Sequence, residues 1–147
     1  MEGSLQGWAN CDLRSPALTL GTWHMTPGNH ILHLASNNAW LAAVKLGVYH
    51  ADSLSTEGFI HCSKPSQIVD VANTFYRGRS GLVLLVIDPA KLEVECKWEP
   101  PAEPEPTHAR AGDLFPHIYG PLNLNAVVKV LAFEPGTNGL FSLPPEL

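Results

Sequence analysis

At 147 residues, 45% of them hydrophobic, the chain is sized for one globular domain, and folding at this length buries roughly 70% of the surface that the unfolded chain exposes. A formal charge of -5 with only nine lysines and arginines argues against the clustered basic face that a nucleic-acid backbone requires, so the expected partner is a small molecule or a nucleotide. Cys11, Cys62 and Cys96 fit neither a disulfide framework nor a paired zinc motif, no apolar run approaches the roughly 20 residues of a membrane span, and the first residues lack a secretory pattern, so a soluble cytoplasmic protein is expected.

Residues 1–28 are punctuated by Gly, Ser, Pro and Asn without a sustained period and read as an N-terminal extension. The patterned domain spans 29–135. Ile31 to Leu34 reads as a short buried strand carrying His33; Ser36 then caps a helix over Asn37 to Leu46, and Gly47 stops it. Val48 to Thr56 reads as a polar connection, and Gly58 to Cys62 as a second strand. Ser63 is expected to cap a second helix with Pro65 in its first turn; Ile68, Val71, Ala72 and Phe75 recur at helical spacing, and Arg77-Gly78 ends it.

Leu82 to Ile87 is unbroken Leu, Val and Ile, the pattern of a central strand covered on both faces and closed by Asp88-Pro89. Leu92 to Glu99 alternates apolar with charged residues, as a strand with one wet face does, nearer a sheet edge. Pro100 to Asp113, with four prolines, is expected to be a long exposed loop of the kind that serves as a binding element or lid. Phe115 to Asn123 leads through a turn into a last strand over Val127 to Phe133, and 136–147 reads as a loose Pro-rich tail. Two helices in the amino half followed by strands without intervening helices give an α+β class.

Polar side chains set among apolar neighbours mark the candidate site: His33, His61 at the end of the second strand, Trp98-Glu99, and His117 and Tyr119 flanking Ile118. Burying a histidine costs free energy unless it is partnered, so three histidines within or beside apolar strand segments weigh toward function. Glu57 and Glu99 are the carboxylates available to polarise a histidine or to accept from a ribose hydroxyl. A three-histidine metal site ranks lower, because no two of these histidines share the short spacing by which one element supplies two ligands, and no metal is expected.

Six blocks, taken in order, are Ile31-Leu32-His33-Leu34, Leu54 to Ser63, Ala72 to Gly78, Leu82 to Pro89, Lys97-Trp98-Glu99, and Phe115 to Asn123. Together they resemble the domain of unknown function 952 family over roughly residues 30–134. That family is grouped with the ADP-ribosyltransferase-like proteins. The resemblance implies a split β-sheet fold with a cleft that binds NAD as substrate, and it places His33, on the first strand, against the ribose or nicotinamide end. Where many transferases of the group carry a late-strand glutamate, this chain offers His117, Tyr119 and Asn123. The RNA 2'-phosphotransferases of the group use several arginines, whereas Arg14, Arg77, Arg79 and Arg110 all lie away from His33 and His61 in the sequence. The expected catalytic residues are His33, His61 and His117, with His33 and Tyr119 holding the ribose and nicotinamide and His61 or His117 as general acid or base, and the expected ligand contacts are Glu57, Trp98, Glu99, Tyr119 and Asn123. A non-catalytic nucleotide-binding module and a metal-dependent hydrolase are the alternative readings.

Overall fold

Six consecutive buried aliphatic residues can be satisfied only by a strand with neighbours on both edges and cover on both faces. Leu82–Ile87 meets that condition. A computed structural model of the chain describes residues 30–101 and 112–147; it comprises β1 (Ile31–Ser36), α1 (Asn37–Leu46), β2 (Val48–Tyr49), α2 (Asp52–Thr56), β3 (Ile60–His61), α3 (Ile68–Phe75), β4 (Leu82–Ile87), β5 (Cys96–Glu99), β6 (Phe115–Ile118), β7 (Leu122–Asn123) and β8 (Val127–Phe133), with short 3-10 turns over Pro89–Lys91 and Leu124–Ala126. β4 lies between β1 and β8, antiparallel to both, with Leu84 facing Leu34 on one side and Leu131 on the other. Its side chains alternate between two cores. Val83, Leu85 and Ile87 join Ile31, Ala35, Tyr49, Ile60 and Ile118, while Leu82, Leu84 and Val86 join Leu32, Leu34, Ile68, Ala72 and Phe133.

A second three-stranded antiparallel sheet runs in the order β3-β6-β5, and β2 pairs separately with β7. Among the described residues one backbone bridge joins the two larger sheets, that between Leu32 and Ser63, closed by reciprocal N–H to carbonyl bonds of 2.8 Å, and side chains of both sheets share the first core. Beyond the bridge the outer edge of β1 has no strand partner among the described residues, and a cleft opens there.

Helix α1 has the predicted ends. The Ser36 hydroxyl accepts from Ala39 N–H at 3.0 Å, and Gly47, at φ 92°, takes the left-handed conformation that ends a helix at little cost to glycine. Other expectations are corrected. Val48 to Thr56 is not a plain connection: it contains β2 and α2, with the Ser53 hydroxyl donating to the Phe59 carbonyl at 2.7 Å. Ser63 does not cap a helix, since its backbone is committed to β1; α3 begins at Ile68, after a turn in which the Gln67 side chain accepts from Lys64 N–H. Strand β5 is confined to Cys96–Glu99, although Leu92 and Val94 do pack on the core as the alternation predicts.

The tail is not loose. Phe141 is buried, stacks on Phe133 at 4.7 Å, and has both backbone polar groups bonded to the Asn73 amide. The α+β class is as read, but three helices rather than the expected two lie early in the chain, since α2 forms in the stretch read as a connection; antiparallel strands dominate later, and the elements form one small domain. The expected long loop falls mostly on 102–111 and the expected extension on 1–28, both outside the described residues. Among the described residues no helix is long and apolar enough to cross a membrane.

Candidate functional site

His33 sits on the face of β1 that turns toward the second sheet, 7% exposed. Its Nδ1 lies 2.6 Å from the His61 carbonyl and its Nε2 lies 2.8 Å from the Tyr49 hydroxyl. A carbonyl only accepts, so Nδ1 carries the proton; Nε2 is then an acceptor, and Tyr49 donates to it. Burial, partly opposed by the bond to the His61 carbonyl, pushes the His33 pKa down to about 4, so the ring is neutral. Burial likewise pushes the Tyr49 phenol above its ordinary range. Both ring nitrogens of His33 are thus engaged by protein atoms. The histidine is bonded to both His61 and Tyr49, and His33 and Tyr49 both contribute to the cleft wall.

The second sheet carries the exposed chemistry. Its register sets His117 opposite His61 on one side and Lys97 on the other, and the pleat returns Glu99 to the same face as Lys97. Glu99 Oε1 accepts from His117 Nδ1 at 2.8 Å and from the Tyr119 hydroxyl at 2.6 Å. These bonds, that from Tyr119 first, hold the Glu99 carboxyl below its usual range, and Glu99 in turn raises the Tyr119 phenol. With Nδ1 committed, Nε2 is the His117 nitrogen left without a partner among the described residues. Phe59 stacks on the His117 ring at 4.3 Å and 24°, and the Lys97 ammonium lies 4.7 Å from the centre of the Tyr119 ring. His61 stands edge-on to His117 at 5.6 Å and donates from Nε2 to Glu57 at 3.1 Å. Both members of that last pair are more than two-fifths exposed, so it is a weak, solvent-screened contact.

Between these elements lies a cleft of about 580 Å³. His33, His61, His117 and Glu57 contribute to its wall, so residues separated by up to 84 positions are brought together. Glu99 and Tyr119 connect to it through His117. Trp98 does not line it: on β5 it alternates away from Lys97 and Glu99 and is 47% exposed. Asn123 is elsewhere, on β7, where it accepts from Glu93 N–H and donates to the Lys91 carbonyl and the Asn125 amide oxygen, bracing two turns.

Several residues of the cleft escaped the sequence reading. Tyr49, His50 and Asp52 fall in the stretch read as a connection, where only the Val48-Tyr49 pair just after the Gly47 stop signals a strand. Val71 and Phe75 fit the helical spacing of α3, yet they line the cleft and are not fully buried. Tyr76 and Arg79 follow the same helix into the cleft wall, although nothing local to their sequence points to His33.

Residues 34–130 match the model of a family described as a protein of unknown function, DUF952. Three solved structures of protein CC0527 from Caulobacter crescentus are similar. A crystal structure is 29% identical at a TM-score of 0.65, covering 78% of this chain and 94% of that one. A double mutant of the same protein, also a crystal structure, is 28% identical over the same shares at the same score. A solution structure is 27% identical at 0.60, covering 81% and 97%. No curated protein matches the chain.

Proposed function

The chain belongs to the DUF952 family, and from the geometry of its cleft we propose that it binds NAD or a related nucleotide there and acts on the glycosidic bond, on an ADP-ribosyltransferase-like fold. One observation carries the reading: histidines from three strands meet at one cleft of nucleotide size, and one of them, the buried His117, keeps Nε2 without a hydrogen-bond partner among the described residues while Glu99 holds its Nδ1–H. The division of two three-stranded sheets at a single bridge supports the fold assignment.

In this reaction the bond between the ribose carbon and the nicotinamide nitrogen breaks with its electron pair going to neutral nicotinamide. A new carbon–oxygen bond forms to water or an acceptor hydroxyl, whose proton passes to His117 Nε2. Glu99 and Tyr119 act through His117: the carboxylate keeps the tautomer and stabilises the charge that the ring gains, and Phe59 fixes the ring plane. His61, with Nε2 on Glu57, offers Nδ1 to a hydroxyl of the ligand. His33, with both nitrogens engaged, serves as a positioning residue for Tyr49 and His61, and Tyr49, beside it in the cleft wall, takes over the ligand contact that the resemblance assigned to His33.

The metal-dependent alternative is disfavoured by donor geometry, since His33 has both nitrogens engaged and, among the described residues, no group of three or more His, Cys, Asp and Glu is placed to hold an ion. The binding-module alternative is separated from the enzyme by the fate of nicotinamide. Calorimetric titration with NAD, ADP-ribose and nicotinamide, paired with chromatographic detection of free nicotinamide, tests both. NAD binding with nicotinamide release that His117→Ala abolishes is expected. Binding without release leaves a module, and no heat from any of the three ligands removes nucleotides altogether.

A further inference from the structure

We infer that the cleft has a second, anion-binding end built on Arg79 and Tyr76, which takes a phosphate group of the ligand. This rests on the reading of the cleft as a nucleotide site and sets the ligand's direction in it. Arg79 belongs to the cleft wall together with Tyr76, Ser36 and Leu82. Its guanidinium carbon stands 5.0 Å from the centre of the Tyr76 ring, and its backbone N–H donates to the Tyr76 carbonyl at 2.9 Å, so side chain and backbone are anchored to the same residue at the end of α3. A guanidinium resting over an aromatic ring is restrained in position, and its planar fork of donors suits the bidentate geometry of phosphate oxygens.

Three further observations favour an anionic ligand group over a structural role. Among the described residues Arg79 forms no ion pair, although the chain carries fourteen acidic side chains against nine basic ones. Glu134, which sits where β8 pairs with the start of β4, directs its carboxylate instead to the Gly81 N–H at 3.1 Å. The acids of the cleft wall, Asp52 and Glu57, belong to the α2 side, near His61. The cleft is therefore polarised along β1. His33 marks the histidine end, while Ser36, paired with Leu82, marks the arginine end, about 10 Å further on at roughly 3.3 Å per residue. A ligand with its glycosidic bond at the histidines and its phosphates at Arg79 spans that distance.

The experiment compares NAD, nicotinamide riboside (the same glycosidic end without phosphate) and inorganic pyrophosphate by calorimetry on the native protein, Arg79→Gln and Arg79→Lys, at two ionic strengths. Arg79 is exposed, so circular dichroism is expected to show these variants folded. The expected result is a loss of roughly 10- to 100-fold in NAD affinity for Arg79→Gln, the scale of a charged hydrogen bond, with a partial loss for Arg79→Lys and nicotinamide riboside unchanged. Added salt should weaken NAD binding to the native protein more than to Arg79→Gln. Equal loss for NAD and nicotinamide riboside, or no loss for either, overturns the assignment. If NAD does not bind the native protein, the nucleotide reading fails by itself. Pyrophosphate binding that Arg79→Gln removes would then still uphold the anion site, and absence of pyrophosphate binding would overturn it.

Discussion

The two three-stranded sheets have the same strand number and the same antiparallel pairing, and they do opposite work. In β1-β4-β8 the strands run six or seven residues and the middle one is buried throughout; in β3-β6-β5 they run two to four, and the outer strands are partly or largely exposed. The only polar side chain buried in the body of the first sheet is His33, and it is neutral with both nitrogens satisfied. The second sheet tolerates ionised groups because water reaches them: Glu99 is a carboxylate held by a histidine and a phenol at a solvated edge. The difference shows where each free energy lies. Long strands, the central one covered on both faces, supply the hydrophobic stability, and a short sheet packed beside them carries the polar candidate-site residues at modest desolvation cost.

That contrast is open to test, and the largest effect should come from its stable half. Leu84 is fully buried between Leu34 and Leu131, and Leu84→Ala is expected to lower unfolding free energy by about 3 kcal/mol in urea denaturation. A much smaller loss would mean that β4 is not the centre of the stable half. His33 should produce an effect of similar size, but only through pH. Its folded pKa is about 4 against 6.5 for the free side chain, so between those values the unfolded chain binds a proton that the fold refuses. Stability is therefore full above about pH 6.5 and falls on acidification toward pH 4, by up to about 3 kcal/mol. His33→Gln should show a flatter stability profile than the native protein across that window, and an identical slope in both would contradict the buried neutral ring.

Smaller changes sharpen the other side of the comparison. Asn123→Ala removes a brace between turns and should cost about 1 kcal/mol while leaving ligand titrations untouched, in keeping with its place outside the cleft. A lost ligand response would return Asn123 to the site. The least effect on folding is expected from Glu99→Gln. Its denaturation midpoint should stay in place, while NMR titration should show the Tyr119 phenol ionising at lower pH and the His117 ring nitrogens losing the single-tautomer pattern. Unchanged ring and phenol signals would separate Glu99 from the site.

Local signals were read well where local interactions decide the outcome. Ser36 and Gly47 bound α1 because a hydroxyl three residues from an N–H and a residue free to adopt positive φ suffice to end a helix. Ser63 misled for the complementary reason. It has the chemistry of a cap, but its backbone gains two hydrogen bonds from Leu32, which is 31 positions away. Trp98 misled similarly: alternation placed it on the apolar stripe of β5, yet at the sheet edge that stripe runs past the end of the core.

By itself the sequence determined the α+β class, the central strand and the ends of α1, and it singled out three histidines and two carboxylates as candidates, because hydrophobic periodicity and the cost of burying polar groups act on each residue where it stands. Only the tertiary structure decided how they combine: that His33 would spend both nitrogens on Tyr49 and His61, that Glu99 would take His117 and Glu57 would take His61, and that Tyr49, Tyr76 and Arg79 would complete the cleft. Those outcomes depend on which strand edges meet and in which register, and such long-range pairings leave no mark on the residues next in sequence.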